Sequence, residues 1–577
     1  MVNERLQHSD FLKFGFFIAA LALIWNLPTL GNNLMPRNFM GWFGIIVISG
    51  LVISFSIWNG KLLFSKSLIL LFIPSVAFLL HGTIFPPTET MHYYMWLAIG
   101  ASFTFGIYLL ALSQVDDSDN VWLSIANVML VVLSIQSLIS DVLPAFTFGK
   151  FILGFFPIEL IATQAGFQQA NLMASFIAAL LLWSWGLRLK LKVTSSKSWA
   201  FLFIISLFLS FIIFQTGSRT AGLALLVGTV FLLIYSYGNG MIRQSLIIVS
   251  AILIALFFDL MGGIGESRKG DFVAAAADVV SGQNTNLRIM FWQVAFFSGL
   301  ENWLFGHGLG NFQQAYYETY LAYKSDFPLW QHVPSLAHPH NEIMMHWVEM
   351  GLTGMFFVIA PVVIFLFRVF LLNSKYLLLL ISSLLPIGLH SQTEMVLHAS
   401  GAHWLLAGLI IASLMNRADF KVHLLPKFGI LLPIALSVVG LWVTVSSAIA
   451  GTNAFWNKIS ADRAENLGLH LKRLTQGEEL NHWILGTETN DRVIKSMMAV
   501  ALNTNNKNAV KKFLPRLIDM SNRWQHKDTW AQIAQAYLVL GDINKYKSHM
   551  KKVRIFDPKY ADFLEKAFDV KLESAKN

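Results

Sequence analysis

The sequence predicts an all-α polytopic membrane protein that also carries one large hydrophilic loop and a soluble helical tail. Hydrophobic residues make up 55% of the 577 residues and charged residues only 13%, and the mean hydropathy is +0.57. With 47 Phe and 18 Trp, this composition excludes a soluble globular protein, because a single core cannot hide so much apolar surface. The hydrophobic residues recur in runs of about 20, which suffice to cross ~30 Å of hydrocarbon as a helix that satisfies its own backbone.

About thirteen apolar runs have the length of a membrane-spanning helix. In chain order the predicted spans are residues 14–30, 40–58, 67–82, 93–113, 121–141, 167–187, 198–215, 219–236, 244–260, 344–368, 376–392, 401–416 and 427–449. A polar stretch precedes the first run, and no small-residue cleavage site follows it. We therefore predict a retained first helix and no removable targeting segment.

The distribution of Lys and Arg among the short loops predicts the orientation. Segments on the side of the N-terminus contain fourteen of these residues: Arg5, Lys13, Lys61, Lys66, Arg188, Lys190, Lys192, Lys197, Arg243, Arg368, Lys375, Arg417, Lys421 and Lys427. The short loops on the opposite side contain three: Arg37, Lys150 and Arg219. The asymmetry predicts a cytoplasmic N-terminus, with the loop at 261–343 and the C-terminal tail outside the cytoplasm. The chain has no cysteine, which is compatible with an oxidising compartment.

Four regions follow from this pattern: spans at 1–260, an extracytoplasmic loop with amphipathic helices at 261–343, further spans at 344–450, and a soluble helical domain at 455–577. From residue 455 onward, 21 Lys and Arg face 14 Asp and Glu. The spacing of aromatic and small residues in the tail is typical of a tetratricopeptide-like helical hairpin. The residues concerned are Trp530, Tyr537, Gly541, Tyr546, Met550, Val553 and Pro558. The tail is either a stabilising cap, a docking surface for a protein or peptide, or a basic face for anionic lipid or glycan.

The segment where the long loop runs into the tenth span contains His340-Asn341, then nine residues, then Gly351-Leu352-Thr353-Gly354. Steps of four and three predict that His340 shares one helical face with both glycines. The glycines would allow another helix to approach closely. A lone histidine at a membrane edge is more often an interfacial polar residue than a catalyst. A metal site is also conceivable, with ligands from His338, His340, Glu342 and His346, although helix geometry would scatter these four over different faces.

Two arginines lie where a membrane tolerates charge poorly. Arg219 follows Gln215-Thr216-Gly217-Ser218 between two adjacent spans. Its guanidinium, Ser218 and the first amides of the next helix favour an anion site over the alternative, an interface anchor. Arg288 lies four residues before Trp292 in an amphipathic segment of the loop, where an interfacial anchor is the competing interpretation. The glycine-rich run Gly306 to Phe312 lacks a flanking strand and a lysine, and it predicts a tight turn rather than a nucleotide site.

These motifs, in this order and on this topology, resemble the signature of bacterial O-antigen ligases, within the O-antigen ligase and Wzy polymerase superfamily. Residues 160–415 carry the resemblance. Gly166 to Asn171, and His390 to Glu394 with His403-Trp404 after them, are similar to the pattern of O-oligosaccharyltransferases of the PglL type, which also have a C-terminal periplasmic helical domain. That family often has an aromatic residue directly after the glutamate, where this chain has Met395. A GT-C-like fold is implied.

The resemblance implies en bloc transfer of a preassembled glycan from undecaprenyl diphosphate, in the periplasm, to a Ser or Thr of an acceptor protein such as a pilin. His340 and Asn341 would be catalytic. Residues implied to bind the diphosphate or glycan are Arg219, Arg288, Ser218, Gln169, Asn171, His338, Glu394 and His390. The enzyme would be a multi-pass protein of the bacterial inner membrane, and no nucleic acid is implied as a partner.

The chemistry of the residues agrees with this implication. A serine hydroxyl is a poor nucleophile, and an imidazole, with an unperturbed pKa of about 6.5, can accept its proton near neutral pH. Arginines can stabilise charge on a departing diphosphate. The first outside loop, residues 31–39, has no carboxylate, so we predict no metal and no cofactor. Ligation of glycan to lipid A core and polymerisation of glycan repeats are alternative functions. A transporter is disfavoured, because it would not explain a loop of about 80 residues that ends at His340.

Overall fold

The structure is a computed structural model. It describes residues 36–85, 92–115, 119–138, 170–261, 285–323, 336, 338–371, 376–415, 420–424, 431, 433–435, 437–442, 486–523 and 527–574. The predicted span at 14–30 and the residues at 443–485 lie outside this description.

Helices dominate the described part of the chain, as predicted. Before the long loop they are α1 (Pro36–Trp58), a 3-10 helix (Lys66–Phe72), α2 (Ile73–Ile84), α3 (His92–Ser113), α4 (Asp119–Ser137), α5 (Ala170–Lys190), α6 (Ser196–Gln215), α7 (Arg219–Gly238) and α8 (Ile242–Leu260). The loop contributes α9 (Thr285–Glu301) and α10 (Phe312–Tyr323). Then come α11 (Glu342–Gly354), a π-helix (Met355–Ile359), α12 (Ala360–Leu371), α13 (Leu377–Ser391), α14 (Val396–Ala399) and α15 (Gly401–Leu414). The tail forms α16 (Gly486–Asn503), α17 (Lys507–Arg523), α18 (Lys527–Leu540), α19 (Ile543–Phe556) and α20 (Pro558–Ser574).

Eight helices of the described chain are long and apolar enough to cross a membrane, which confirms the all-α polytopic fold. They are Gly41–Trp58, Lys66–Ile84, Asn120–Ser137, Ala170–Lys190, Ser196–Gln215, Arg219–Gly238, Ile242–Leu260 and Glu342–Arg368. Four other predicted spans correspond to shorter apolar helices: Ala98–Ser113, Leu377–Ser391, Gly401–Leu414 and Pro433–Trp442.

The sequence did not predict a two-stranded antiparallel ribbon formed by β1 (Lys61–Phe64) and β2 (Lys421–Leu424). The side chain of Gln114 extends it, because its amide accepts from the backbone N–H of Leu63 and donates to the carbonyl of Leu63, both at 2.7 Å. The three segments belong to loops that the alternation of spans puts on one side of the membrane. Which side that is remains a prediction.

The chain forms two compact units. The first comprises residues 1–76, 99–284 and 357–449. Its central helix is α5, whose membrane window is entirely buried and which packs against α4, α6, α7, α13 and α15. Arg188 on α5 is fully buried and donates to Ser184, Ser198 and Asn127. A charge that far inside the bundle is tolerated because each of these donations satisfies a guanidinium N–H.

The second unit comprises residues 77–98, 285–356 and 450–577. The loop helices and the tail helices share one apolar cluster within it, to which Phe291, Tyr317, Val348, Trp530 and Val553 contribute. Tyr317 of α10 meets the ring of Trp530 of α18 edge-on at 6.3 Å. Along the tail, each helix packs against the next. The boundaries of these units differ from the four predicted sequence regions, which were drawn from hydropathy alone.

Candidate active site

The predicted catalytic pair lies immediately before α11. His340 has a backbone φ of 53°, a left-handed conformation that few non-glycine residues adopt and that the surrounding structure must hold in place. Asn341 is the N-cap of α11, and its side-chain oxygen accepts from the backbone N–H of Met344 at 3.0 Å. The helix begins only at Glu342. The prediction that His340 shares a helical face with the glycines was therefore wrong, since His340 precedes the helix.

Aromatic rings hold the imidazole of His340 on two sides. The ring of Phe291 on α9 stacks against it, with centroids 6.1 Å apart and planes 24° apart. The ring of His338 meets it edge-on at 4.5 Å. Arg288, which is exposed, lies three residues before Phe291, and residues three apart are neighbours on a helix surface. The structure thus brings His340, His338 and Arg288 to the same end of α9.

The glycine-rich run between α9 and α10 is a tight turn, as predicted, and it packs on α11. Gly306, Gly308 and Gly310 have φ values of 71°, 97° and 78°. The backbone N–H of His307 donates to Val348 and that of Gly308 to Glu349, at 2.9 and 2.8 Å. The carboxyl of Glu349 is buried, and one of its oxygens has no hydrogen-bond partner among the described residues. The turn is therefore fastened to the helix that follows His340.

The close approach expected at Gly351 and Gly354 takes a different form. Gly351 interrupts α11 with φ 60° and ψ −153°, and the chain that approaches it is the segment 303–306 rather than a helix. The backbone N–H of Leu352 donates to Trp303 and that of Thr353 to Leu304, at 2.8 and 3.1 Å. A Cβ at Gly354 would meet Met350 of its own helix. The predicted helix packing was wrong because the break at Gly351 frees backbone groups that the turn then pairs.

In the first unit, the segment before Arg219 positions a helix N-terminus. Ser218 is the buried N-cap of α7, its side chain makes no capping bond, and Arg219 is the first helical residue. The side chain of Gln215 donates to the buried Asp259 at 2.5 Å, which fixes the end of α6. Helix N-termini attract anions through their unpaired N–H groups and dipole. This geometry suits the anion role that the sequence predicts for Ser218 and Arg219.

The turn at residues 390–394 lies beside this helix N-terminus. The hydroxyl of Thr220 is 3.1 Å from that of Thr393, and the backbone N–H groups of Thr393 and Glu394 donate to the carbonyl of His390. Glu394 and His390 are both buried. The structure thus brings three parts of the prediction, Ser218-Arg219, His390 and Glu394, to one end of the first unit.

A buried chain of hydrogen bonds anchors that turn. The hydroxyl of Ser175 lies 2.7 Å from Nδ1 of His390 and 3.0 Å from Nε2 of His403, whose Nδ1 lies 2.7 Å from the hydroxyl of Ser400. All four side chains are buried. This geometry makes His390 a structural member of the bundle as well as a predicted ligand for substrate.

Two further predicted residues lie at the start of α5. Asn171 is half-buried in the first turn of that helix. Gln169 lies outside the described residues. Asn171 precedes Ser175 by four positions, so both are on one helical face. The spacing of four residues from Asn171, a predicted site residue, was the one sequence signal that could have indicated Ser175.

Sequence reasoning also missed Asp259 and Glu349. Asp259 lies in the last turn of an apolar span, and this position was the available signal, because ionisable residues in membrane helices are usually paired or functional. Glu349 lies within the tenth predicted span. Its partners lie in the glycine turn some 40 residues earlier, which no local pattern indicates.

The chemistry that each unit can support is distinct. The second unit presents the imidazole of His340, stacked on α9, and the exposed guanidinium of Arg288 on the same helix. An imidazole is suited to accepting a proton and a guanidinium to binding an anion. The first unit presents a helix N-terminus with an arginine, which is suited to binding an anion such as a diphosphate. The assignment of individual catalytic and binding roles, and the metal-free reaction, remain predictions.

Residues 204–359 match the family described as O-antigen ligase. The match covers less than a third of the 577 residues. It contains Ser218, Arg219, Arg288, His338, His340 and Asn341, and it leaves out Gln169, Asn171, His390 and Glu394. No curated protein matches the chain. The match supports glycan transfer of the O-antigen ligase type in general.

Proposed function

We propose that the protein is a protein O-oligosaccharyltransferase that moves a preassembled glycan from undecaprenyl diphosphate to a Ser or Thr of a periplasmic or pilin-like acceptor. The observation that carries the proposal is the position of His340. Its left-handed backbone and its stacking on Phe291 support a fixed orientation inside the segment that matches the O-antigen ligase family.

In the proposed reaction, Nε2 or Nδ1 of His340 accepts the proton of the acceptor hydroxyl. The hydroxyl oxygen then forms a bond to the anomeric carbon of the glycan, and the bond from that carbon to the diphosphate oxygen breaks. The electron pair leaves with undecaprenyl diphosphate. Direct displacement of this kind inverts the anomeric centre.

The charge that grows on the departing diphosphate needs stabilisation. We assign this to Arg219 and Arg288, because a guanidinium can donate two parallel hydrogen bonds to phosphate oxygens. Arg219 acts together with the N-terminus of α7. Arg288 acts from the exposed surface of α9, beside Phe291. Lysine would retain the charge but lose the fork of donors.

His340, Arg219 and the tail belong on the periplasmic side in this proposal, because the Lys and Arg asymmetry assigns the opposite loops to the cytoplasm. The tail would dock the acceptor. Its helices share a core with α9 and α10, so an acceptor bound there would lie on the same unit as His340.

The acceptor distinguishes protein glycosylation from ligation to lipid A core and from glycan polymerisation. The experiment expresses the chain in a bacterial host that supplies the lipid-linked donor, a pilin-like acceptor and a lipid A core. Wild type is compared with His340→Ala, Arg219→Lys and Arg288→Lys, after each variant is shown to insert and to elute as a folded protein.

We expect glycan on the acceptor protein, observed as a mass shift of the intact protein, with wild type. His340→Ala should abolish the shift, and each Arg→Lys variant should weaken it. Glycan found only on lipid A core would favour the ligase, and longer glycan on the carrier lipid would favour the polymerase. Full transfer by His340→Ala would refute the base assignment.

A further inference from the structure

Helix α9 carries an apolar stripe that the described residues leave exposed. Ile289, Phe296 and Leu300 are 46%, 46% and 44% exposed. Steps of seven and four place them on one helical face. The turn that follows continues this surface with Trp303, Leu304 and Phe305, which are also exposed. A contiguous apolar surface of this kind marks an interaction site.

One end of the stripe is fastened to the end of a candidate membrane span. The backbone carbonyl of Phe305 lies 2.7 Å from Nε2 of His81, and the rings of Phe305 and Phe85 are 5.0 Å apart. The span Lys66–Ile84 ends between those two residues. Its last residue, Ile84, is 66% exposed, as expected of a side chain that faces lipid. Phe305 therefore lies at the level where that span leaves the hydrocarbon.

The same segment is fastened to a second candidate span. Trp303 and Leu304 accept hydrogen bonds from Leu352 and Thr353, which belong to the span Glu342–Arg368. The side chains of Leu352 and Phe356 on that span are exposed and apolar. The exposed surface of residues 303–305 is thus continuous with the apolar surfaces of two membrane helices.

The backbone of the turn is suited to an apolar surrounding. Irregular chain at membrane depth is tolerated only where its polar groups find partners inside the protein. The N–H of Gly306 donates to Asn302, that of His307 to Val348 and that of Gly308 to Glu349. The glycine turn can therefore sit at the membrane boundary without leaving these groups unsatisfied.

We infer that α9 and residues 303–305 form an interfacial membrane element whose partner is the acyl chains of the outer leaflet. A helix in the plane of the interface lies with its exposed apolar side chains about 5–10 Å into the boundary between headgroups and acyl chains. Tryptophan favours that level, and Trp303 is at the end of the stripe that the two spans hold. The inference is independent of the proposed glycan transfer.

The absence of cysteine from the chain allows a direct test with single-cysteine variants. Phe296→Cys, Leu300→Cys and Trp303→Cys are each labelled with a nitroxide and reconstituted into liposomes. The accessibility of each label to oxygen, which concentrates in lipid, and to a water-soluble nickel chelate is measured. Two matched controls are Val230→Cys, exposed on a membrane span, and Glu318→Cys, exposed on α10.

We expect the three stripe labels to behave like the Val230 label, with several-fold lower nickel accessibility than the Glu318 label. Nickel accessibility equal to that at Glu318 would overturn the inference, because the stripe would then face water. Low accessibility to both reagents would also overturn it, because another protein surface would then cover the stripe. All the substituted side chains are exposed, and elution as a single species confirms that each variant folds.

Discussion

Replacing Gly351 by alanine should damage the fold far more than replacing Gly388, a helical glycine beside which a side chain would meet open space. The φ and ψ of Gly351, 60° and −153°, belong to a region that only glycine occupies readily, and a side chain there costs about 1–3 kcal/mol. The new Cβ would also lie 2.7 Å from the backbone of Leu304 and Gly306. Overpacking of a well-packed site adds about 1–3 kcal/mol, so the expected total is about 2–6 kcal/mol.

The matched control is Gly388→Ala. Gly388 lies within α13, and a Cβ there meets no atom within 4 Å. Alanine in a helix is favoured over glycine by about 0.5–1 kcal/mol, so the control should be neutral or slightly stabilising. Both variants differ from wild type by one methyl group.

The assay heats the purified protein in detergent and measures the fraction that still elutes as a single species. One kcal/mol corresponds to about 2–4 °C in the midpoint for domains of ordinary size, so Gly351→Ala should lower the midpoint by at least about 4 °C. Gly306→Ala should act similarly, because its Cβ would lie 2.4 Å from the backbone of Glu349. The double variant should cost less than the sum, since both changes break the same contact. A midpoint for Gly351→Ala equal to that of Gly388→Ala would refute the proposed backbone pairing.

Three further changes test other parts of the structure in the same assay. Ser175→Ala leaves two buried imidazoles without their shared partner and should cost about 1–3 kcal/mol for each group left unsatisfied. The control Ser206→Ala, at a buried hydroxyl with no partner among the described residues, should be neutral. Equal effects of the two changes would contradict the role of Ser175. Trp530→Ala should cost about 3–5 kcal/mol, because the ring is buried in the core that loop and tail share. The control Phe563→Ala, at an exposed side chain, should change the stability by less than about 0.5 kcal/mol. An equally small effect of Trp530→Ala would argue against the shared core. Asn341→Ala removes the side chain that caps α11 and should cost about 1 kcal/mol, whereas Asn341→Ser keeps a capping oxygen and should leave the stability unchanged. Equal stability of the two variants would show that capping contributes little.

Hydropathy predicted most of the fold because the requirement to span hydrocarbon acts on each segment separately. The helices that follow Ser195 and Ser218 begin within two residues of the predicted positions for this reason. The ribbon at Lys61–Phe64 escaped prediction because four residues carry too little periodicity to indicate a strand. Its partner strand is more than 350 residues away in the chain.

The sequence predicted which residues belong to the candidate site, but it predicted only part of how these residues are arranged in space. His340, Arg219 and Arg288 were recognised because charged and titratable groups are conspicuous in an apolar chain. The break at Gly351 could not be predicted from helical spacing, because its cause is a pair of backbone hydrogen bonds with Trp303 and Leu304. The link between Ser175 and His403 spans 228 positions, and only the packing of α5 against α15 reveals it.

The proposal of glycan transfer with His340 as base is tested most directly with purified components. Wild type, His340→Ala and Gly388→Ala are reconstituted into liposomes with an undecaprenyl-diphosphate-linked glycan and a pilin-like acceptor, and the glycosylated acceptor is quantified by intact mass. We predict glycosylated acceptor with wild type and Gly388→Ala, and none with His340→Ala. Glycosylation at the wild-type rate by a folded His340→Ala protein would contradict the role of His340, and no product with wild type, while sugar is transferred to a lipid A core added in parallel, would contradict the proposed acceptor.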